Sequence, residues 1–369
     1  MGGRPAAEAN AVPNTRSADV MYQRTLACTA AAILTGIHAH TAASGRGDPF
    51  AFFQPPVTVD FSDRQRLARG DVIVRVLPAR DGELSVFAAS RLDVSPEALV
   101  TWTHAIAQLK QSAFVLAIRR FSDPPVLEDL NGLILDEGDV DAIARCRAGD
   151  CAVHLGAREI QSLRAAAAAA GQSWRAAIRQ EFRRAVLERV NAYRADGLAG
   201  LPPYAHRREP VRPEDALAAI LRGSPYLGER LPHVAARLKD APHGDLPGGE
   251  SFLYWSKEQY GTGKRVISVT HVDIVRPDAP GAPAVLVLGK EIFATHYRSG
   301  SLGVTTVVED AAHGLRYLVY INRSQVDVLS GLFGGLKRKL IEGRLTDESA
   351  AIVRTIRQRL ESGDPSPPA

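Results

Sequence analysis

The chain has 369 residues, 45% of them hydrophobic, and its 45 Lys+Arg against 41 Asp+Glu give a formal net charge of +4. These values exclude an intrinsically disordered chain, a collagen-like repeat and a disulfide-dense miniprotein, and they indicate a globular protein of one or two domains. The short basic clusters at 206–208 and 337–339 lack interleaved aromatic residues, so we predict no nucleic-acid partner.

The N-terminus has the pattern of a secretory signal. A polar stretch is followed by Arg24, an apolar run over 26–37 and small residues up to Ser44. The run is too short to span a bilayer, so we predict a leader and signal peptide over 1–45, with Met21 as an alternative start, and a periplasmic or secreted mature chain. The alternative is an Ala-rich tail on a cytoplasmic protein. No later stretch is apolar enough for a transmembrane span.

Residues 46–125 predict the first strands and a helix of an α+β domain. Residues 45–70 are rich in Gly, Pro and Phe and predict an extended arm. Alternating apolar positions predict strands over 71–78 and 84–92 that form a hairpin, and a third strand over 113–121. Between them, Ser95 followed by Pro96 and Glu97 is typical of a helix start.

Residues 126–249 predict a helical insertion. Trp174, Ile178, Phe182, Val186 and Val190 recur every three or four residues and continue to Tyr193 before Gly197, which predicts the buried stripe of one long helix. Among the four acidic residues within 136–141, Asp139 is assigned as a helix cap.

Two cysteines lie in this insertion. Cys146 and Cys151 flank a turn containing Gly149 and Asp150, a spacing that permits a disulfide, and an oxidising compartment would close it. Free thiols and a chemical role are the alternatives. Zinc is disfavoured because His154 is the one nearby candidate ligand, and the spacing is not that of a Cys-x-x-Cys redox pair.

From residue 250 the period of the apolar pattern returns to two. Five β-rich runs, separated by short Gly- and Pro-containing loops, predict an antiparallel meander. The runs are 250–260, 265–276, 284–298, 302–309 and 315–322. Two helical runs follow, over 332–341 and, after a cap at Thr346, over 347–360. The meander and C-terminal helix therefore occupy 250–362, and 363–369 is a Pro-rich disordered tail.

The order of these elements resembles the START-like (SRPBCC) helix-grip superfamily, which includes lipid-transfer domains, polyketide cyclases and pollen allergens. The resemblance is carried by 86–93 leading into Ser95-Pro96-Glu97 and by the ending 331–360. It covers residues 84–122 and 250–362, and 126–249 departs from it as an insertion. The resemblance implies a curved antiparallel sheet that grips the long C-terminal helix around an apolar cavity, with a small apolar or amphipathic ligand.

The sequence does not match the phosphate-binding-loop, nucleophile-elbow or His-Glu-x-x-His motifs. Residues 261–264 read Gly-Thr-Gly-Lys, but the upstream Gly of a phosphate-binding loop is missing and Arg265 follows where Ser or Thr is required. A turn is the better interpretation. No His-Glu-x-x-His sequence occurs, and we predict no cofactor and no metal.

A set of polar residues on the predicted meander is the candidate site: Glu258, His271, His296, Tyr297 and Arg323. Alternation places His271 on the strand face of Ile267 and Val269, and His296 with Leu288 and Ile292, so both imidazoles are expected to point into an apolar hollow. The set would form a structural network, bind a ligand's polar end, or support catalysis or a metal through His271, His296 and Glu258.

Three functions stay open at this level. The first is an exported soluble protein that holds a lipid-like ligand and contacts its polar end through the five residues above. The second is a periplasmic hydrolase-like enzyme, with His271 or His296 as base and Glu258 orienting it. The third is an envelope interaction protein without a ligand. The sequence determines neither the ligand nor the oligomeric state.

Overall fold

A computed structural model describes residues 47–366 except 81, 245–247, 260–262 and 330–333; side chains of 328 and 334–341 are also outside the description. The predicted leader and signal peptide at 1–45, residues 261 and 262 of the Gly-Thr-Gly-Lys turn, the side chains of the basic cluster at 337–339 and the last three residues of the predicted tail therefore lie outside the described residues. Among the described residues, no helix combines the length and apolar character needed to cross a bilayer.

The N-terminal segment is anchored by aromatic side chains instead of lying along the surface as an extended arm. Phe50, Phe52 and Phe53 are each at most 4% exposed and pack in one core cluster with the sheet. Helix α1 (Phe61–Ala68) follows, and the Asp60 side chain caps it by accepting a hydrogen bond from the Asp63 amide at 2.8 Å. The prediction of an arm is wrong because burying three Phe rings outweighs the local Gly/Pro bias.

The first strands and helices follow the predicted order. Strands β1 (Val72–Val76) and β2 (Glu83–Leu92) pair antiparallel, and helices α2 (Pro96–His104) and α3 (Ile106–Leu109) lead to β3 (Val115–Arg120). Helix α2 begins at Pro96, with Glu97 in its first turn, as the sequence pattern indicates.

The described residues between β3 and the meander form six α-helices: α4 (Glu137–Arg145), α5 (Ala157–Ala169), α6 (Trp174–Asp196), α7 (Pro213–Arg222), α8 (Pro225–Arg230) and α9 (Pro232–Asp240). The stripe of α6 is buried: Ile178, Phe182, Val190 and Tyr193 are fully covered. The helix ends at Gly197, whose φ of 61° a residue without Cβ adopts at low cost. Cys146 and Cys151 form the predicted disulfide.

The meander comprises β4 (Glu250–Glu258), β5 (Val266–Val275), β6 (Leu286–Ala294), β7 (Arg298–Asp310) and β8 (Leu315–Val326). With the first three strands they form one antiparallel sheet in the order β1-β2-β8-β7-β6-β5-β4-β3. Strand β2 lies beside β8 in the sheet, although the two are far apart in the sequence. They pair along the whole length of β2, from Glu83 to Leu92.

Helix α10 (Gly334–Glu361) is a single helix of 28 residues. The sequence predicts a break at Thr346, and that prediction is wrong. The Thr346 hydroxyl donates a hydrogen bond to the Glu342 carbonyl at 2.9 Å, one turn back within the helix, so it does not cap a new helix.

Both faces of the sheet are covered by helices. One face, which we call the cavity face, packs with α2, α3 and α10, as in the buried cluster of Leu99, Val272, Leu318 and Val353. The opposite face, the insertion face, packs with the helices between β3 and β4 and with the N-terminal aromatic residues. All ten residues of β5 are buried in consequence.

The architecture is α+β, with an open, curved antiparallel sheet and a long helix near the C-terminus, which confirms the predicted fold class. Among the described residues, the helices of the insertion and the sheet belong to one compact unit. This arrangement is compatible with a helix-grip fold.

Candidate functional site

A cavity of about 550 Å³ lies between the cavity face of the sheet and helices α2, α3 and α10. Its walls come from β2–β8 on one side and from the three helices on the other. Most of the surface that lines it is apolar, with aliphatic contributions from Leu84, Leu99, Ile106, Val287 and Ile356, although more of the lining residues are polar than aliphatic. A cavity of this volume is within the range that holds a small organic molecule.

Two facing glycines shape the floor of the cavity. Gly289 on β6 and Gly303 on β7 are directly paired across the sheet and both line the cavity. Neither has a positive φ, and a Cβ at Gly303 would meet its nearest atom, of the Tyr320 ring, at 3.7 Å. The glycines are therefore not required by the backbone or by close packing, and their missing side chains leave space that a larger residue would fill.

A polar cluster centred on Glu258 lies at one part of the wall. The Glu258 Oε1 atom accepts hydrogen bonds from Lys110 Nζ at 2.6 Å and from the Ser256 hydroxyl at 2.9 Å. Lys110 also donates to the Tyr254 hydroxyl at 3.2 Å. Lys110 is positioned at the end of α3 and Glu258 at the end of β4, so the ion pair connects the helix pair to the sheet.

Arg298 and Glu291 form a second polar group. Their side chains, on adjacent strands β7 and β6, make a bidentate pair with Nη2–Oε2 at 2.6 Å and Nε–Oε1 at 3.0 Å. The planar guanidinium matches the carboxylate in this geometry, which fixes both groups against the cavity wall.

A third group of polar side chains, all uncharged, lies on strands β7 and β8. The Ser324 hydroxyl is hydrogen-bonded to the Ser301 hydroxyl at 2.9 Å and to Asn322 Oδ1 at 2.8 Å, and Asn322 Nδ2 donates to Ser301 at 3.0 Å. Desolvation raises the pKa of the neighbouring Tyr320 to about 12, so its hydroxyl stays protonated at neutral pH. These groups offer hydrogen bonds to a ligand without adding charge.

Charges in the lining nearly balance. The lining cations are Lys110, Lys264, Arg298 and Arg344, and the lining acids are Glu258, Glu291 and Glu348. The two most buried acids already pair with Lys110 and Arg298. The cavity therefore offers a ligand hydrogen-bonding groups and little net charge.

His271 lies on the insertion face, outside the cavity. Its strand neighbours Thr270 and Val272 line the cavity, and alternation turns His271 to the opposite side. There its Nδ1 atom is hydrogen-bonded to the Tyr193 hydroxyl of α6 at 2.8 Å. Burial, with the Lys290 and Arg237 charges, lowers the pKa of His271 well below its usual value, which keeps the imidazole neutral.

The surroundings of His271 form a buried charged network. The carboxylate of Asp273 accepts a hydrogen bond from Arg237 at 3.1 Å, and Lys290 Nζ donates to the Leu238 carbonyl at 2.8 Å. Burial lowers the pKa of Lys290 to about 7. The network holds α9 to strands β5 and β6.

His296 and Arg323 also lie away from the cavity. His296 Nε2 contacts Asp139 Oδ2 of α4 at 3.0 Å, and the helix cap of α4 is Asp136, so the assignment of Asp139 as the cap is wrong. Arg323 is 4% exposed and pairs with Glu83 at 3.0 Å. Its guanidinium lies against Gly223, where a Cβ would come within 2.6 Å of it.

Of the five predicted site residues, Glu258 and Tyr297 line the cavity. The prediction that the imidazoles of His271 and His296 point into the cavity is wrong. Both contact helices of the insertion, α6 and α4, instead of α10. The proposed enzyme arrangement of His271, His296 and Glu258 is likewise not brought together in the cavity lining. A ligand-binding role for His271, His296 and Arg323 stays a prediction without support from the cavity.

Sequence reasoning missed Lys110, Glu291, Arg298 and the polar residues of β7 and β8. A signal was present: Ser301, Gly303 and Thr305 alternate on β7, and Tyr320, Asn322 and Ser324 alternate on β8. Small and polar residues at every second position of a strand inside a buried sheet indicate a face that is covered but not tightly packed.

The chain matches no protein-family model and no curated protein. Among solved structures, it is similar to TTHA0849 from Thermus thermophilus, at 16% identity over 41% of this chain and 90% of that one, with a TM-score of 0.24. It is also similar to the di-domain ARO/CYC BexL from the BE-7585A biosynthetic pathway, at 13% identity over 83% of this chain and 93% of that one, with a TM-score of 0.23. Likenesses this weak carry no argument about function.

Proposed function

We propose that the chain binds one small amphipathic ligand, largely apolar and without net charge, in the cavity. The observation that carries the proposal is a cavity of about 550 Å³ between the sheet and α2, α3 and α10, whose lining surface is mainly apolar and whose wall also carries hydrogen-bonding side chains. Such a cavity binds apolar surface through the hydrophobic effect and orients it through the polar groups.

The polar groups favour a neutral ligand over an anionic one. Lys110 and Arg298 are each held by a carboxylate within 2.6 Å. An anion would have to compete with these partners or add charge beside Glu258 and Glu291, at a desolvation cost. A hydroxyl or carbonyl group can instead hydrogen-bond to Asn322, Ser301 or Tyr320 without disturbing either pair.

The test uses the purified full chain and the neutral fluorescent probe N-phenyl-1-naphthylamine. We expect saturable binding to the wild type, and we expect Gly303→Leu to weaken it by at least about tenfold, or about 1.4 kcal/mol, because the new side chain occupies the cavity. Gly138→Leu is the matched control, since Gly138 lies on α4, is exposed and has no atom within 4 Å of an added Cβ.

Two outcomes would overturn the proposal. One is the absence of saturable probe binding to folded wild type. The other is equal affinity of the wild type and Gly303→Leu when both show the same thermal unfolding. As a comparison of charge, the anionic probe 1-anilinonaphthalene-8-sulfonate is expected to bind more weakly than the neutral probe, and tighter anion binding would refute the neutral-ligand part.

We further propose that the protein is a START-like family member that is exported. The order of strand, helix pair, strand, five-stranded meander and terminal helix supports the first part. The Cys146–Cys151 disulfide supports the second, because disulfides persist in oxidising compartments.

A further inference from the structure

Three metal-ligand side chains converge at a point distinct from the cavity. His154 lies between the disulfide loop and α5, His206 between α6 and α7, and Asp327 directly after β8. The Nε2 atoms of His154 and His206 lie 2.8 Å and 3.3 Å from the same oxygen, Oδ2 of Asp327. One ligand atom from each residue lies within 4.8 Å of the others.

The three side chains are shielded from solvent. Their exposed fractions are 6% for His154, 11% for His206 and 17% for Asp327. The three ligand side chains are therefore largely excluded from solvent.

Backbone hydrogen bonds position each ligand independently of the side chains. The amide of His154 donates to the Thr295 carbonyl at 2.9 Å, and the amide of Asp327 donates to the Tyr297 carbonyl at 2.9 Å. The carbonyl of His206 accepts from the Cys151 amide at 3.0 Å. Three separate parts of the chain are thus held together around the cluster by the fold itself.

Two buried nitrogen atoms of the cluster have no hydrogen-bond partner in the part of the chain that the structure describes. The Nδ1 atoms of His154 and His206 are buried, and neither has a hydrogen-bond partner among the described residues. Buried polar atoms are almost always satisfied, so these atoms, on two rings whose centroids lie 4.2 Å apart, indicate a further partner beside the imidazoles.

We propose that His154, His206 and Asp327 bind a zinc ion. Two imidazoles and a carboxylate are a common zinc ligand set, and with three protein ligands the fourth tetrahedral position goes to water. Calcium and magnesium are disfavoured because they take oxygen ligands. The ion connects the disulfide loop and the segment between α6 and α7 to the end of β8. It is independent of the proposed cavity ligand.

The test measures zinc binding by the tag-free full chain, purified without reductant or chelator and equilibrated with Zn²⁺. We expect one zinc ion per chain by elemental analysis. His154→Gln, His206→Gln and Asp327→Asn should each lower the affinity by at least about tenfold. His313→Gln is the matched control, because His313 also pairs with an aspartate, Asp310, but is 70% exposed and stands outside the cluster.

X-ray absorption of the zinc-loaded wild type decides the case even if a variant fails to fold. We expect nitrogen and oxygen ligands at about 2.0–2.1 Å with the scattering pattern of imidazole and no sulfur at about 2.3 Å. The proposal is overturned by sulfur ligation, which would place the ion on cysteine, by less than stoichiometric zinc in the wild type, or by unchanged affinity in folded variants of the cluster.

Discussion

Replacing Lys290 with methionine tests whether the buried charged network sets the pH dependence of stability. Lys290 is 1% exposed, and burial lowers its pKa from 10.5 to about 7. The unfolded chain therefore binds one proton more than the folded chain between these pH values, and the free energy of unfolding rises with pH across that window. The stabilisation is complete above about pH 10.5, the pKa of Lys290 in the unfolded chain. It is lost as the pH falls to about 7, the pKa of Lys290 in the folded chain.

From pH 7 to pH 9 the rise attributable to Lys290 is about 2 kcal/mol, since each pKa unit corresponds to about 1.36 kcal/mol and part of the window lies above pH 9. In Lys290→Met the unbranched side chain fills similar space without a charge. The hydrogen bond to the Leu238 carbonyl is lost, which lowers stability by about 1–3 kcal/mol equally at both pH values. The slope is therefore the informative quantity.

The assay is guanidinium unfolding at pH 7, 8 and 9, in a Cys28→Ser background that prevents thiol exchange. Burial lowers the pKa of His271 and raises that of Tyr193, so both titrate outside this window. We expect the wild type to gain about 2 kcal/mol more than Lys290→Met between pH 7 and pH 9. Parallel slopes for the two proteins would refute the argument that Lys290 is forced toward its neutral form.

Two further predictions concern groups in or beside the insertion. Asp273→Asn should cost about 3–5 kcal/mol of unfolding free energy by denaturant titration, because it leaves the 6%-exposed Arg237 without its buried carboxylate partner; a loss below about 1 kcal/mol would contradict this. The denatured, unreduced full chain should titrate with one thiol, that of Cys28, and reduction should expose Cys146 and Cys151 at a cost of about 2 kcal/mol for their short loop. Three thiols before reduction would disprove the disulfide.

Local patterns in the sequence were sufficient for most of the fold. Alternation and β-rich runs predicted the strands of the described sheet, and the stripe of α6 follows the period of 3.6 from Ile178 to Tyr193. The errors lie where a distant contact decides the outcome. Thr346 reads as a helix start, yet its hydroxyl bonds within one continuous helix, and Phe50, Phe52 and Phe53 are fixed by the sheet they pack on.

The candidate site was predicted in part. Alternation correctly placed His271 on one face with Ile267 and Val269, and it identified Glu258 and Tyr297, which line the cavity. Alternation could not identify Lys110 as a site residue, because Lys110 contacts Glu258 only once the end of α3 packs beside the end of β4. Nor could it show that His206, read as part of an exposed basic cluster, lies beside His154 and Asp327.

The amino-acid sequence by itself determined the class of each element, their order along the chain and the side of each strand to which a residue points. Only the tertiary structure decided which layer covers each side of the sheet. The physical reason is that both faces are covered, so all ten residues of β5 are buried. Which helices cover each face depends on packing between segments more than a hundred residues apart, such as α10 on β2. That packing leaves the cavity on one face and the imidazole of His271 on the other.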